Sequence, residues 1–250
     1  MGFDMEMEDY EVDLRIREAS MNVLITGVSS GLGKALKDEY LDLGHNVYGI
    51  SRGNVDDCNH TELDLSYVPN VNQKLPDLLK DVKELDVVIL NAGMLGDIKT
   101  FDKWGYGDLL EIMNVNVWSN KYILDWLFKN DVKVKQVITI SSGASEHTYK
   151  GWGGYSISKA ALRMMTEVYS KEVKDTHFLS VAPGLVDTSM QEYLRNEVDV
   201  SEFPVTEKFI QSKKDGITKS PEEVSKRIIK LMPEFKELEN GSFVDIREVE

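Results

Sequence analysis

The chain has 250 residues, 42% of them hydrophobic, and a formal net charge of −14 from 43 acidic and 29 basic residues. That length suffices for one large α/β core, while the acidic balance argues against nucleic-acid and anionic-membrane partners, and no apolar run approaches the ~20 residues of a membrane span. Cys58 is the only cysteine, so an internal disulfide is excluded and a reducing, cytoplasmic setting is expected; four scattered histidines beside it offer no metal-ligand spacing, so no metal is expected.

The N-terminus is acidic rather than basic-then-apolar, unlike a secretory signal. In residues 1–20, Tyr10, Val12, Leu14 and Ile16 alternate with charged residues, a strand-like pattern, and Ala19-Ser20 resembles a cloning junction. This segment reads as a non-catalytic appendage, flexible or locally strand-like, ahead of one domain over 21–250. The regular pattern begins with a short apolar strand over 22–26, which runs into Gly27-Val-Ser-Ser-Gly31-Leu-Gly33 and a helix over 33–43. Strand, glycine turn and helix is the context a dinucleotide fingerprint needs. Glycines let the backbone approach a pyrophosphate, and the helix start offers unpaired N–H groups to it. Gly27, Ser29, Ser30, Gly31, Leu32 and Gly33 are therefore candidate cofactor contacts; a plain strand–helix turn is the bland alternative.

Further strands are predicted over 46–51, 61–64, 86–91, 135–141, 177–182 and 242–246, and helices over 71–82, 106–129, 155–174 and 221–231. Strands alternating with helices, with no internal repeat or low-complexity linker, predict a single doubly wound α/β domain of Rossmann type, with a mostly parallel seven-stranded sheet flanked by helices. Ser220-Pro221-Glu222-Glu223 gives the last predicted helix an N-cap, a first-turn proline and a capping-box glutamate. The stretch 190–219 is charged and broken by Pro204 and Gly216; it reads as a substrate lid or as two short surface helices.

Tyr155 and Lys159 stand four apart near the start of a predicted helix, so they share a face. Ser142 precedes Tyr155 by thirteen residues, at the end of a predicted strand. A free phenol titrates near ~10, and a neighbouring cation is expected to lower that value. Tyr155 could then exchange a proton with a substrate oxygen while Ser142 holds that oxygen by a hydrogen bond. Alone, the Tyr/Lys spacing is shared by many solvated helix faces.

The conjunction is specific. Thr26-Gly-x-x-x-Gly-x-Gly33, Asn91-Ala92-Gly93, Ser142, Tyr155-x-x-x-Lys159 and Pro183-Gly184 follow the order and spacing of the short-chain dehydrogenase/reductase family, which the chain resembles over residues 21 to 246. Ile140-Ser-Ser-Gly-Ala-Ser145, Lys150-Gly-Trp-Gly-Gly-Tyr155 and Ala182–Gln191 look most like its benzil reductase and sepiapterin reductase branch. The resemblance implies an oxidoreductase with Asn116, Ser142, Tyr155 and Lys159 as catalytic residues. Asn116 would hold a water in a proton relay behind Lys159; Asn114 competes for that role, but helix register favours Asn116. Tyr155 and Lys159 would also contact the cofactor, Lys159 through the nicotinamide ribose. Asn91, Ala92 and Gly93 would line it, Asp64 and Leu65 would meet the adenine, and Pro183, Gly184, Val186 and Thr188 would surround the nicotinamide, with Thr188 on its carboxamide.

The predicted second strand ends at Ser51, where NAD-preferring members carry an acid, and Arg52 follows. A guanidinium suits a 2′-phosphate, so NADP(H) is the expected cofactor; Asp56 and Asp57 could weaken such a site. Met94, Ala144, Trp152, Leu185 and Met190, with Ser142, are candidate substrate contacts, the apolar ones equally readable as core. The expected reaction is NADPH-dependent reduction of a small ketone or aldehyde, diketones included, to an alcohol. Alternatives are an NAD(H)-linked alcohol dehydrogenase and a non-catalytic dinucleotide sensor. Relatives use the helices at 106–129 and 155–174 as a dimer face, which leaves a homodimer or homotetramer open; Met164, Met165, Val168 and Tyr169 suit interface or core.

Overall fold

The computed structural model describes residues 20–249; the appendage read at 1–20 lies, but for Ser20, outside the described residues. In chain order the main elements are β1 (Asn22–Thr26), α1 (Gly31–Asp42), β2 (Asn46–Ser51), β3 (Asn59–Glu62), α2 (Val71–Leu78) and β4 (Glu84–Leu90). There follow α3 (Tyr106–Met113), a π-helical turn (Asn114–Trp118), α4 (Ser119–Lys129), β5 (Lys133–Ile140), α5 (Gly153–Glu172) and β6 (His177–Ala182). The chain closes with α6 (Ser189–Asn196), α7 (Thr206–Lys214), α8 (Pro221–Lys230), α9 (Met232–Phe235) and β7 (Phe243–Asp245).

The strands form one seven-stranded sheet in the order β3-β2-β1-β4-β5-β6-β7. Every ladder is parallel, so the expected mostly parallel sheet is wholly parallel among the described residues. Side chains alternate across β1 as strand geometry requires. Val23 and Ile25 pack with Leu36 and Tyr40 of α1 and Ile228 of α8, while Leu24 on the other face meets Leu75 of α2 and Leu127 of α4. A third apolar cluster lies beyond the carboxyl ends of the strands and includes Trp104, Trp152, Tyr155, Leu194, Phe203 and Phe209.

Several boundaries differ from expectation for identifiable reasons. β3 covers 59–62 rather than 61–64: its sequence Asn-His-Thr-Glu has no large apolar residue, and pairing with β2 sets it. Leu63 and Leu65, which drew the sequence reading forward, are buried beyond the strand end. α2 stops at Leu78 instead of 82, with Pro76 inside it; proline removes a helical donor. The helix expected over 106–129 is interrupted by the π turn at 114–118. The stretch read at 190–219 holds most of α6 and all of α7, two short helices whose Leu194 and Phe209 are buried in the third cluster.

The glycine turn is held by close approach. Gly27 and Gly31 have φ of +81° and +55°, which favour glycine. At Gly33, a Cβ would lie 2.2 Å from the Gly27 carbonyl oxygen and 2.4 Å from Asn91 Nδ2. Gly33→Ala should therefore push α1 off β1 and destabilise the protein by about 1–3 kcal/mol, as overpacking does. A chemical denaturation curve superimposable on that of the parent would contradict this packing.

Candidate active site

Sheet order places a crevice at the carboxyl ends of β1 and β4, where successive connections leave to opposite sides. Thr26 fixes its floor. The buried Thr26 hydroxyl accepts from the backbone N–H groups of Asn91 and Ala92, both at 2.9 Å, and Asn91 Nδ2 donates to the Thr26 carbonyl at 3.0 Å. A cavity of about 700 Å³ opens above this lock and runs from Leu63–Ser66 at one end to Tyr155 at the other.

Ser30, Gly31 and Leu32 line the cavity at the start of α1. Ser30 is the N-cap, with no side-chain cap bond, and the first turn carries no acidic residue. The unpaired N–H groups and partial positive charge of that helix start suit a phosphate. Gly27 and Ser29 also line the wall, whereas Gly33 does not: it is buried behind the turn, where it admits α1 to β1. Across the cavity, Thr188 comes within 3.3 Å of where a Gly31 Cβ would stand. Pro183, Gly184 and Val186 lie on the same wall. A glycine cradle, a free helix start and a long cavity fit a bound dinucleotide.

At the far end from the reactive cluster, Ser51 and Arg52 line the cavity with Asp64 and Leu65. The Ser51 hydroxyl donates to the Gly53 carbonyl at 2.9 Å and stands 2.8 Å from His60 Nε2. Arg52 is exposed and has no salt bridge among the described residues. Asp64 accepts from the backbone N–H of Ser66 at 2.9 Å, which holds its carboxyl below the usual carboxylate range. Asp57 turns away towards Lys37 of α1.

The reactive cluster is buried. Tyr155 and Lys159 are 7% and 4% exposed, on the face of α5 turned to β5 and β6, and both line the cavity with Ser142. Lys159 Nζ donates to the Ile140 carbonyl at 2.8 Å and lies 5.7 Å from the Tyr155 ring centroid. The sequence reading expected the lysine to lower the phenol's pKa. Instead, burial pushes Tyr155 above its ordinary range, with the Ser142 hydroxyl pulling the other way. Burial likewise lowers Lys159 to about 8. Withdrawing both groups from water penalises both charged forms, and here that cost outweighs their attraction.

Asn116 sits one layer behind the wall. Its Oδ1 accepts from Met94 N at 2.8 Å, and its Nδ2 donates to the Met94 carbonyl and to Ser158 Oγ, both at 2.9 Å. A Cβ on Gly93 would lie 3.4 Å from both Asn116 Oδ1 and Lys159 Nζ, so the glycine keeps these two groups close to the loop. Asn114, the alternative, points elsewhere and donates to the Ser66 carbonyl at 2.9 Å. Two residues apart on a helical turn, the asparagines face opposite ways.

Met94, Ala144, Trp152, Leu185 and Met190 line the cavity and also pack in or against the third cluster, so the wall and core readings describe one surface. Trp152 stacks on Phe209 at 5.4 Å and meets Tyr155 and Tyr149 edge-on at 5.7 and 5.9 Å. The sequence reading missed Tyr149 and the contribution of α7, whose N-cap Val205 and helical Lys208, Phe209 and Ser212 face the cavity. Their i, i+3, i+4, i+7 spacing was the available signal. The excursion that carries α6 and α7 is closed at its base: Asp187 N donates to the Lys219 carbonyl at 2.8 Å, and Lys219 N to the Leu185 carbonyl at 2.9 Å. Asp187 also pairs with Arg195 at 2.8 Å.

A lysine buried where it titrates near 8 is a stability cost at neutral pH. At pH 7, Lys159→Met should melt higher than the parent. Because the folded state gives up this proton before the unfolded state does, the parent regains stability above about pH 8. The gap should narrow from there towards the ordinary lysine range. Melting curves across pH that showed a constant or widening gap would refute the burial cost.

The chain resembles known proteins along most of its length. The family model described as short chain dehydrogenase matches residues 21–199. A Bacillus cereus protein named benzil reductase ((S)-benzoin forming) is 32% identical over 90% of this chain and 99% of its own. Its Bacillus subtilis namesake is 30% identical over 90% and 98%. The crystal structure of a Saccharomyces cerevisiae short chain dehydrogenase/reductase matches with a TM-score of 0.81 at 23% identity, over 92% of this chain and 97% of that one, a likeness of fold. With its Rossmann-type sheet and matched sequence, this chain belongs to the short-chain dehydrogenase/reductase family of oxidoreductases.

Proposed function

We propose that the protein is an NADP(H)-dependent carbonyl reductase that converts a small ketone or aldehyde, and in particular one carbonyl of an aryl 1,2-diketone, to an alcohol. The observation that carries the reading is geometric: the Ser142 hydroxyl, the buried Tyr155 phenol and Lys159 line one end of a cavity that is continuous with a phosphate cradle. A proton-bearing acid suits reduction, which must deliver a proton to the oxygen that gains negative charge. NADPH would supply the hydride.

The chain's own groups do the rest. The Ser142 hydroxyl holds the substrate oxygen, and the Tyr155 hydroxyl donates its proton to that oxygen. Lys159 returns the proton to Tyr155. The main-chain oxygen of Asn116 accepts from Asn120 Nδ2 at 2.9 Å. Asn116 would hold the water that replenishes Lys159. Trp152, Tyr149 and Phe209 offer aromatic faces to an aryl substituent, in keeping with the benzil reductase names of the two Bacillus relatives. Arg52, at the cofactor's adenosine end, would meet the 2′-phosphate.

We assign catalysis to one domain over 21–250 and propose a homo-oligomer. Tyr106, Leu110 and Trp118 of the α3–α4 segment and Ile157, Met164 and Val168 of α5 are exposed apolar residues available to a second copy. Tyr169 is committed to the core, where its hydroxyl donates to Asp125 at 2.6 Å.

Tyr155→Phe should lower turnover of benzil by at least about 10²-fold, the scale of a lost general acid, while NADPH binds as tightly as to the parent. Near-normal turnover in that variant would sink the mechanism. Separately, Arg52→Ala should raise KM for NADPH by about tenfold, as loss of a charge-assisted phosphate contact does, and leave KM for NADH unchanged. Equal effects on the two cofactors would remove Arg52 from phosphate recognition.

A further inference from the structure

Lys37 is a lysine in the middle of α1 that is 2% exposed. A buried ammonium persists only if paired. One partner is local: Asp38 Oδ1 lies 2.6 Å from Lys37 Nζ, and the other oxygen of Asp38 is taken by Lys34 at 2.5 Å. The second partner comes from another segment. Asp57 Oδ2 accepts from Lys37 Nζ, although Asp57 itself is 59% exposed.

Asp57 belongs to the connection between β2 and β3, the segment that Arg52 begins. That connection folds back over the start of α1. Asn54 to Asp57 form one wall of a second cleft, with Val28, Ser29, Lys34 and Lys37 opposite. Ser29 lines both this cleft and the main cavity and lies 3.6 Å from where a Cβ on Gly53, next to Arg52, would stand. An acid on this connection opposes a phosphate bound beside Arg52 unless its charge is cancelled.

We propose that Lys37 is a specificity-determining residue for the cofactor: by pairing with Asp57 it neutralises that carboxylate and fixes the Arg52–Cys58 connection on α1, so the adenosine end accepts a 2′-phosphate. This rests on the NADP(H) reading above. Lys37 touches no reacting atom and acts only through the field and position of its partner.

The test measures Kd for NADPH and NADH by calorimetry in the parent, Lys37→Met, Asp57→Asn and the double variant. Lys37→Met should weaken NADPH by about tenfold, the scale of one uncompensated charge near a phosphate, and leave NADH unchanged. Lys37→Met with Asp57→Asn should restore the parental NADPH affinity, a rescue that a purely structural lysine would not give. Asp57→Asn, at an exposed site where folding is not at stake, should keep the preference for NADPH, read as the ratio Kd(NADH)/Kd(NADPH), at or above the parental value. A lower ratio, or equal weakening of both cofactors, overturns the proposal, and this variant decides the matter should Lys37→Met fail to fold. A parent without NADPH preference overturns the NADP(H) reading itself; a parent that prefers NADPH while Lys37→Met retains that preference overturns the Lys37 role alone.

Discussion

The contact between the ends of β1 and β4 is the constraint on which the rest depends. The Thr26 hydroxyl gathers two backbone donors of the β4 loop, and Asn91 returns a bond to Thr26. Gly33 stands where any side chain would collide with Gly27 and Asn91. Together they seat α1 against the loop that carries Ala92 and Gly93. The helix start therefore aims its free N–H groups into the same crevice that the reactive cluster reaches from β5 and α5.

A second layer of polar bonds transmits this rigidity to the reactive groups. Asn116 links Met94 to Ser158, and Ser158 Oγ donates to the Tyr155 carbonyl at 2.8 Å. Thr139 of β5 meets Thr166 of α5 and Ser180 of β6, each at 2.9 Å. Buried networks of this kind are stable only when their members find partners, and they fix α5 against the sheet within hydrogen-bond tolerance. Tyr155 and Lys159 are held there at an energetic disadvantage for charge, which is a frequent signature of functional groups.

The cavity's outer wall is of a different nature. Leu194, Phe203 and Phe209 cover Trp152 by apolar burial rather than by strand pairing. The strand bridge at Val186 and Lys219 is the fixed base of this excursion. The outer wall of the cavity is thus made of short helices hung from a closed base, while Ser142, Tyr155 and Lys159 are carried by the sheet and the helix packed on it. The two halves can vary independently, which is why membership of a fold family does not name a substrate.

Much of the molecule was legible from local pattern. β1, β2 and β6 follow from apolar runs bounded by turns, since buried parallel strands need continuous hydrophobic residues. Tyr155 and Lys159 follow from helical periodicity, and the glycine turn from its place between strand and helix. Other features were not local. β3 exists because β2 offers it a partner, and its own residues carry little strand preference. The π turn that carries Asn114 and Asn116 interrupts a helix whose sequence pattern runs on, and the protonation of Tyr155 and Lys159 depends on burial that many distant segments create together. The pairing of Lys37 with Asp57 joins residues twenty apart through a loop whose path no periodicity encodes. Sequence alone determined the order of elements and which side chains stand in step on each, because those depend on spacing along one chain. Tertiary structure decided which groups lose water and which charges meet, because desolvation and pairing are set by neighbours that the chain brings from elsewhere.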